Sequence, residues 1–482
     1  MIGSPAHPPP LRPAVALPDD LVAWVEEVGG GRLALADRRP GGARKEAWFI
    51  DLERPDGTVA ELFLRYDRSD PNVTKDPWTL HREATVYLAL QDTAVPVPRV
   101  LGVHPFHQAM LSERVVGETW FSRLTDPAER EETARDFMGR LAELHRLDPA
   151  SLDLPGFPTA ATIPDAVRHE LDEWEWILAA RGGDPDPALA FTLEWLRNNI
   201  PDHEGPVALV QGDTGPGNFL YAEGRVVAIV DWELAHLGDP MDDIAWLSLR
   251  ATQEPFTDLP TRLREYEALT GTSIDDDRVR FYRVMAEAKL QVMSHRPAGP
   301  DRAGGGADSG ADGGGSDGGG PDVGNGFIYG MLHRRLWLEA LVEAALIEPT
   351  PVEVPPDPEP RGHEWMYDEV LGQLRDVIVP RVTDPLAKAR SKGLARLVKY
   401  LAEVDAHGDF YAACELDDLE ALLGGRPPSV AAGRRDLAGK ARAGLLAERA
   451  YLDYLWRRVA RETQLARPAM GALADRHWPP LR

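Results

Sequence analysis

The residues best suited to chemistry are three oxygen-bearing side chains that flank two short apolar runs. Asp213 and Asn218 come just before the run 219–221, and Asp231 follows the run 226–230. A Glu-Gly pair between the runs is typical of a tight turn, so the pattern predicts a β-hairpin. Because a hairpin brings its outer ends together, we expect the three side chains to converge. Two carboxylates and an amide oxygen suit a hard cation such as Mg²⁺, which also binds substrate phosphates.

The spacing of these residues resembles that of the protein-kinase-like superfamily. The stretch reads QGDTGPGN, then VDWE, then GDPMDDIA, a variant that resembles the aminoglycoside phosphotransferase and choline kinase-like family. The resemblance implies that Asp213 is the catalytic base and that Asn218 and Asp231 are Mg²⁺ ligands. Gln211 stands where the family usually has His, and Trp232 stands where protein kinases have the Phe of their Asp-Phe-Gly motif.

The alternative interpretation of the same stretch is an acidic hairpin with capping residues, because single Asp residues are usually solvated or cap helices. Asp239 followed by Pro240 predicts a helix N-cap with Pro in the first turn. We expect Asp243 to brace the loop and Asp242 to be solvated.

Five strands are predicted before this stretch, at 32–36, 47–52, 59–66, 97–103 and 108–113. Gly41 and Gly42 lie between the first two strands, where backbone N–H groups can approach a phosphate closely. Two glycines between strands usually form only a turn. The resemblance to a kinase-like small lobe makes the nucleotide-binding interpretation about as well supported as the turn.

The resemblance also assigns a basic residue to the third strand, where it binds the nucleotide's phosphates. The family usually has Lys there, and this chain has Arg65, which keeps the charge but is not a simple substitute. Glu83, on a helix predicted over 76–90, is expected to pair with Arg65, although a solvated helix Glu is the alternative. Glu113 and Val115 lie in a segment that resembles the hinge between lobes, whose main-chain atoms bind adenine.

Helical patterns dominate after residue 120, with helices predicted at 127–145, 164–181, 187–198, 240–249, 260–269, 277–294 and 327–347. His145 is expected to be a structural hydrogen-bonding residue. The second helix carries four acidic side chains, Glu170, Asp172, Glu173 and Glu175. Their pattern favours a wet face of an amphipathic helix over a surface that meets a cationic substrate.

Composition bounds the class of protein. The chain has 482 residues, 43% of them hydrophobic, and a net charge of −25. An acidic surface argues against nucleic-acid and anionic-membrane partners. A single cysteine, Cys414, suggests a reducing compartment, and no apolar run is long enough to span a membrane. We therefore expect a cytoplasmic protein.

The fold class expected is α+β, a two-lobed protein-kinase-like fold followed by a C-terminal all-α domain. The predicted organisation is a disordered N-terminus (1–17), a small lobe (18–115), a large lobe (116–348) with a disordered Gly/Asp-rich insertion (296–326), a Pro-rich linker (349–362) and a helical domain (363–482). The function of the helical domain is not evident from its residues, and we expect it to bind a protein partner or to self-associate.

The function predicted is ATP- and Mg²⁺-dependent phosphorylation of a hydroxyl group on a small molecule. The sequence WELAHLGDP resembles that of a subgroup associated with acyl-CoA metabolism, so a hydroxyacyl-CoA is the favoured acceptor. An aminoglycoside or another antibiotic is the second candidate. A non-catalytic nucleotide-binding scaffold, favoured by Arg65 and Gln211, is the third.

Overall fold

A computed structural model describes residues 17–39, 45–69, 77–183, 186–295 and 323–482. The strands are β1 (Arg32–Arg39), β2 (Lys45–Glu53), β3 (Val59–Asp67), β4 (Val100–Val103), β5 (Gln108–Glu113), β6 (Ala208–Val210), β7 (Phe219–Ala222), β8 (Arg225–Ile229) and β9 (His236–Gly238). The helices of the first two thirds are α1 (Asp19–Gly29), α2 (Leu80–Leu90), α3 (Pro127–Arg146), α4 (Ile163–Arg181), α5 (Pro187–Asn198), α6 (Pro240–Gln253), α7 (Leu259–Thr270), α8 (Asp276–Ser294) and α9 (Val323–Ala344). The remaining helices are α10 (Trp365–Gly372), which continues as a π-helix (Gln373–Ile378), α11 (Pro385–Leu423), α12 (Val430–Arg442) and α13 (Glu448–Met470).

The N-terminal lobe is built on an antiparallel sheet of five strands in the order β1-β2-β3-β5-β4. Alternating apolar residues on β2 and β3, such as Ile50 and Leu64, are fully buried on one face. Leu21 and Val25 of α1 pack against that face and complete a small hydrophobic core. This sheet and the helices that follow it confirm the expected α+β class.

The α2 helix starts later than predicted. It begins at Leu80, and the Thr79 side chain accepts a hydrogen bond from the Arg82 N–H as its N-cap. The expectation of a start at residue 76 was wrong, because Pro77 precedes the helix instead of occupying its first turn. Asp76 lies outside the described residues.

The second lobe carries the predicted hairpin, formed by β7 and β8. Its turn residues Glu223 and Gly224 both have positive φ, 51° and 73°, as a two-residue hairpin turn that matches the strand twist requires. A second pair of short strands, β6 and β9, holds the two ends of the surrounding loops together.

The C-terminal helices share one hydrophobic core with the second lobe. The end of the chain also returns to that lobe: the Trp478 indole N–H donates to the Leu336 carbonyl at 2.8 Å, and Arg283 donates to the Pro479 carbonyl at 2.7 Å. The core is therefore continuous across the proposed linker.

Two expectations about disorder lie largely outside the described residues, at 1–16 and 296–322. The α9 helix begins at Val323, before the predicted end of the insertion. Within the described part of the chain, no helix is long and apolar enough to cross a membrane.

Candidate active site

The loop between β6 and β7 is held in place by one buried carboxylate on α6. Asp243 accepts hydrogen bonds from the N–H groups of Gln211 and Gly212, at 3.0 and 2.9 Å, and from the Thr214 hydroxyl. It also accepts from His145 Nε2 at 2.9 Å. Burial opposes ionisation of Asp243, but these donors, led by His145, lower its pKa. The sequence-based roles of Asp243 as a brace and His145 as a hydrogen-bonding residue agree with these contacts.

Asp213 lies on this loop and has two direct partners. Arg250 of α6 donates to both carboxylate oxygens, with Nε 2.7 Å from Oδ1. The Asn218 amide nitrogen donates to Asp213 Oδ2 and to its main-chain oxygen, both at 2.7 Å. Asp213 thereby orients the amide of Asn218, so the amide oxygen of Asn218 faces away from Asp213.

Asp231 follows β8 in a left-handed backbone conformation with φ of 64°. Its N–H donates to the Tyr87 hydroxyl at 3.1 Å, and the preceding Val230 N–H donates to the Asn218 carbonyl at 2.9 Å. Asp231 therefore lies beside the loop that carries Asn218 and Asp213. Among the described residues, its buried Oδ1 has no hydrogen-bond partner. Burial, and then the charge of Glu233, raise the pKa of Asp231 to about 7.

Glu83 of α2 is fully buried and faces two cations. Its Oε2 lies 3.1 Å from Lys45 Nζ and 3.7 Å from Arg65 Nη2. Arg65 Nη2 is also 3.9 Å from Asp231 Oδ1. Burial alone would raise the pKa of Glu83, but Arg65 and Lys45 outweigh it and lower that pKa. The helix Glu is thus an ion-pair partner of Arg65 and is not solvated.

The remaining predicted nucleotide contacts are partly outside the described residues. Gly41 and Gly42 lie outside them. The Glu113 N–H already donates to the Arg99 carbonyl at 2.9 Å, so an adenine contact at Glu113 would use its carbonyl. Val115 follows in the segment between the sheet and Glu118, whose N–H and C=O exchange hydrogen bonds with Tyr221 of the hairpin.

A model of the phosphotransferase enzyme family matches residues 37–282, just over half of the chain. The chain belongs to this family. The resemblance to this family that the sequence predicted is therefore confirmed.

Similar proteins include acyl-CoA dehydrogenase family member 11 of Homo sapiens. It is 30% identical over 181 residues, which cover 35% of this chain and 23% of the human protein. The protein of the same name from Gallus gallus is 29% identical over 187 residues, 36% of this chain and 23% of the relative. The match thus spans about a quarter of the length of these relatives.

Solved structures with a similar fold include the macrolide 2'-phosphotransferase MphH of Brachybacterium faecium, with 18% identity and a TM-score of 0.41 over 57% of this chain and 91% of the other. Another is the streptomycin-ATP-APH(2")-IIa ternary complex, with 14% identity and a TM-score of 0.43 over 58% of this chain and 91% of the other. Because both TM-scores lie below 0.5, the family assignment rests only on the match of residues 37–282 to the family model.

A second buried cluster of charges corrects two expectations. Asp242, expected to be solvated, is fully buried, and Glu170, expected on a wet face, is buried too. Both bind the ammonium of Lys289, at 3.1 and 2.7 Å. Ligand atoms of Glu170, His236 and Asp242 lie within 4.8 Å of one another, a spacing that suits a metal. Because the Lys289 ammonium bridges both carboxylates and His236 lies 3.2 Å from Asp242, the cluster is a structural ion-pair network.

Two charged residues of the site were missed by sequence reasoning. Arg250 is a helix residue whose contact with Asp213 depends on how α6 packs. Lys45 lies three residues after Gly42 and begins a strand, which is the signal that sequence reasoning left unused.

The oxygen donors of Asp231 and Asn218 fit a divalent cation. Asp231 presents a buried oxygen without a partner among the described residues, and Asn218 presents an amide oxygen. A buried carboxylate that lacks a hydrogen bond is costly unless a cation satisfies it. Oxygen ligands of this kind are those that Mg²⁺ prefers.

Proposed function

We propose that the protein transfers the terminal phosphoryl group of ATP to a hydroxyl of a small molecule in the presence of Mg²⁺. In this proposal Asp213 is the catalytic base and Asn218 and Asp231 hold the metal ion. Arg65, paired with Glu83, contacts the phosphates of the nucleotide.

One observation carries this proposal: the buried Oδ1 of Asp231, without a hydrogen-bond partner among the described residues, lies 3.9 Å from Arg65 and next to the Asn218 loop. Glu83 and Asp242 each also have one buried oxygen without a hydrogen bond to any described residue, but both carboxylates have a cation at 3.1 Å, whereas the ion pair of Asp231 with Arg65 is 3.9 Å long. A carboxylate without such a close cation among the described residues supports a role for Asp231 in binding one.

The chemical step makes one bond and breaks one. The acceptor oxygen attacks the terminal phosphorus, the bond from that phosphorus to the bridging oxygen breaks, and ADP leaves. The Asp213 carboxylate orients the hydroxyl and accepts its proton, while Arg250 and Asn218 fix the direction of that carboxylate. When bound, Mg²⁺ supplies charge neutralisation on the phosphate oxygens. The positive charge of Arg65 acts on the same oxygens.

The acidic helix α4 offers little to a polycationic acceptor. Glu170 is buried against Lys289, and Arg197 binds both Asp172 and Glu175. With these carboxylates already paired, the observation that would favour an aminoglycoside is weakened.

The support for the acceptor class comes instead from the relatives, whose name, acyl-CoA dehydrogenase family member, favours an acyl-CoA compound. Arg250 does not add to this support, because Asp213 already pairs with its guanidinium. We therefore favour a hydroxyacyl-CoA over an antibiotic.

An acceptor panel tests this proposal. Purified protein, ATP and Mg²⁺ are incubated with 3-hydroxyacyl-CoA thioesters of several chain lengths, with aminoglycosides and with simple alcohols, and products are identified by mass spectrometry. A phosphorylated hydroxyacyl-CoA is expected. Phosphorylation of aminoglycosides only would refute the acceptor class, and bound nucleotide with no product from any acceptor would support the scaffold.

A separate surface supports self-association of the C-terminal helices. Val370 and Val377, on α10 and the π-helix that continues it, are exposed and seven residues apart. Leu394 and Leu401 on α11 are also exposed and seven residues apart. This spacing is typical of helices that pack side by side.

We propose that a second copy of the chain covers this surface, because its two helices carry opposite charges. Residues 385–402 contain five basic residues and no acidic one: Lys388, Arg390, Lys392, Arg396 and Lys399. The stretch 365–378 has three acidic residues and one basic one: Asp368, Glu369, Asp376 and Arg375. A two-fold axis between two such hairpins would place the acidic helix of one copy against the basic helix of the other.

Light scattering after gel filtration tests this self-association. The wild type is expected to run as a dimer that weakens at high salt, and the double variant Leu394→Glu, Leu401→Glu is expected to run as a monomer. Leu445→Glu, at an exposed leucine elsewhere, is the control and should stay dimeric. A monomeric wild type, or one that instead binds a polyanion through this surface, would overturn the proposal.

A further inference from the structure

Lys45 and Arg65 lie on the same face of the N-terminal sheet. In the register of β2 and β3, Lys45 is opposite Asp67, and Ala47 is opposite Arg65. Residues opposite each other across a strand pair share a face, and so do residues two apart along one strand. Lys45 and Arg65 are therefore diagonal neighbours on one face, and both reach Glu83.

The Lys45 side chain is buried and doubly paired. Its Nζ lies 3.1 Å from Glu83 Oε2 and 2.6 Å from Glu233 Oε2. Burial alone would lower the pKa of Lys45, but the charges of Glu83 and Glu233 outweigh it and raise that pKa. Lys45 is thus a stable ammonium. Both of its partners are distant in sequence, by 38 and 188 residues, and the fold brings them to it.

Lys45 and Arg65 share one partner and differ in the other. Both cations contact the same oxygen of Glu83, but only Lys45, at 3.1 Å, donates a hydrogen bond to it, because Arg65 is 3.7 Å away. Lys45 also lies 2.6 Å from Glu233, and Arg65 lies 3.9 Å from Asp231 in the same segment. The two cations therefore lie side by side next to the proposed metal ligand Asp231, where the phosphates of a metal-bound nucleotide would meet both.

We propose that Lys45, on strand β2, is a phosphate-binding residue of the nucleotide site and acts together with Arg65 of β3. Glu83 holds both side chains in place. The family resemblance assigns this role to β3 alone, so the second cation is a feature of this chain. The inference rests on the proposed nucleotide-dependent function.

Nucleotide binding to the variant Lys45→Met tests the inference. Dissociation constants for ATP and adenosine are measured with Mg²⁺ present, because their ratio isolates the contribution of the phosphates. Loss of one charged contact should weaken ATP binding by about tenfold to a hundredfold. The dissociation constant for adenosine should change by less than about twofold, which corresponds to less free energy than one hydrogen bond contributes. Arg32→Met, at an exposed arginine of β1, is the matched control and should bind both as the wild type does.

Two further variants separate phosphate binding from a structural role. Lys45→Arg keeps the charge and should recover most of the ATP affinity, whereas Lys45→Gln keeps a donor for Glu83 but should not. Equal loss of ATP and adenosine binding, or unchanged ATP binding in Lys45→Met, would overturn the role of Lys45. A wild type that binds no ATP would instead refute the proposed function itself.

Discussion

The variant Asp243→Asn tests whether this carboxylate holds the loop between β6 and β7. The contacts of Asp243 give the expected loss in the free energy of unfolding. One oxygen of Asp243 accepts from the Gly212 N–H and the Thr214 hydroxyl. The other oxygen accepts from the Gln211 N–H and His145. Asparagine replaces one oxygen with an NH₂ group, so two buried donors lose their acceptor. Each lost bond costs about 1–3 kcal/mol, so we expect a loss of about 2–6 kcal/mol in the free energy of unfolding.

Urea unfolding followed by tryptophan fluorescence measures this loss. Asp277→Asn is the matched control: its carboxylate is exposed and pairs with Arg280, so its loss should be about 0–1 kcal/mol. Turnover should also fall in Asp243→Asn, because the loop carries Asp213. An Asp243→Asn protein within about 0.5 kcal/mol of the wild type would refute the view that this carboxylate holds the loop, since one orphaned donor alone costs more.

Three further outcomes are expected. Removal of Mg²⁺ with EDTA should abolish turnover and its return should restore it, and Asp231→Asn should raise the Mg²⁺ concentration needed for half-maximal turnover; turnover unaffected by EDTA would count against the metal site. Burial opposes ionisation of Glu170 and Glu462, but nearby cations outweigh it and lower both pKa values to about 2, from 4.5. The folded state then binds fewer protons than the unfolded one, so stability should fall as the pH drops from 4.5 towards 2, measured as urea midpoints; a flat profile there would contradict these pKa values. Gly212→Ala should destabilise the loop by about 1–3 kcal/mol, because Gly212 has a φ of 80° and an added Cβ would lie 2.4 Å from the Leu234 carbonyl oxygen; a fully stable variant would contradict that geometry.

Local sequence signals were enough to predict much of the fold. The hairpin followed from two apolar runs joined by Glu223 and Gly224, and its turn geometry needs nothing distant. Asp239 was correctly predicted as an N-cap, since it accepts from the Met241 N–H two residues away. Such features depend on residues within one turn of each other, so they can be read from a single sequence.

The contacts that depend on packing could not be predicted. In the sequence, Asp242 and Glu170 look like ordinary solvated acidic residues. Their burial is explained by the ion pairs that both form with Lys289 of α8. Arg250 meets Asp213 because α6 packs beneath the loop. Lys45 on β2 meets Glu83 because helix α2 packs against the sheet. In each case the partner is distant along the chain, and sequence spacing carries no information about it.

Turnover and ATP affinity of the variant Asp213→Ala test the proposed mechanism most directly. If the carboxylate orients and deprotonates the acceptor hydroxyl, turnover should fall by about a hundredfold or more, as the loss of a general base does. The dissociation constant for ATP should change little, because Asp213 contacts Arg250 and Asn218 and is not assigned to the phosphates. Turnover near the wild-type rate would contradict the assignment of the base and the mechanism built on it.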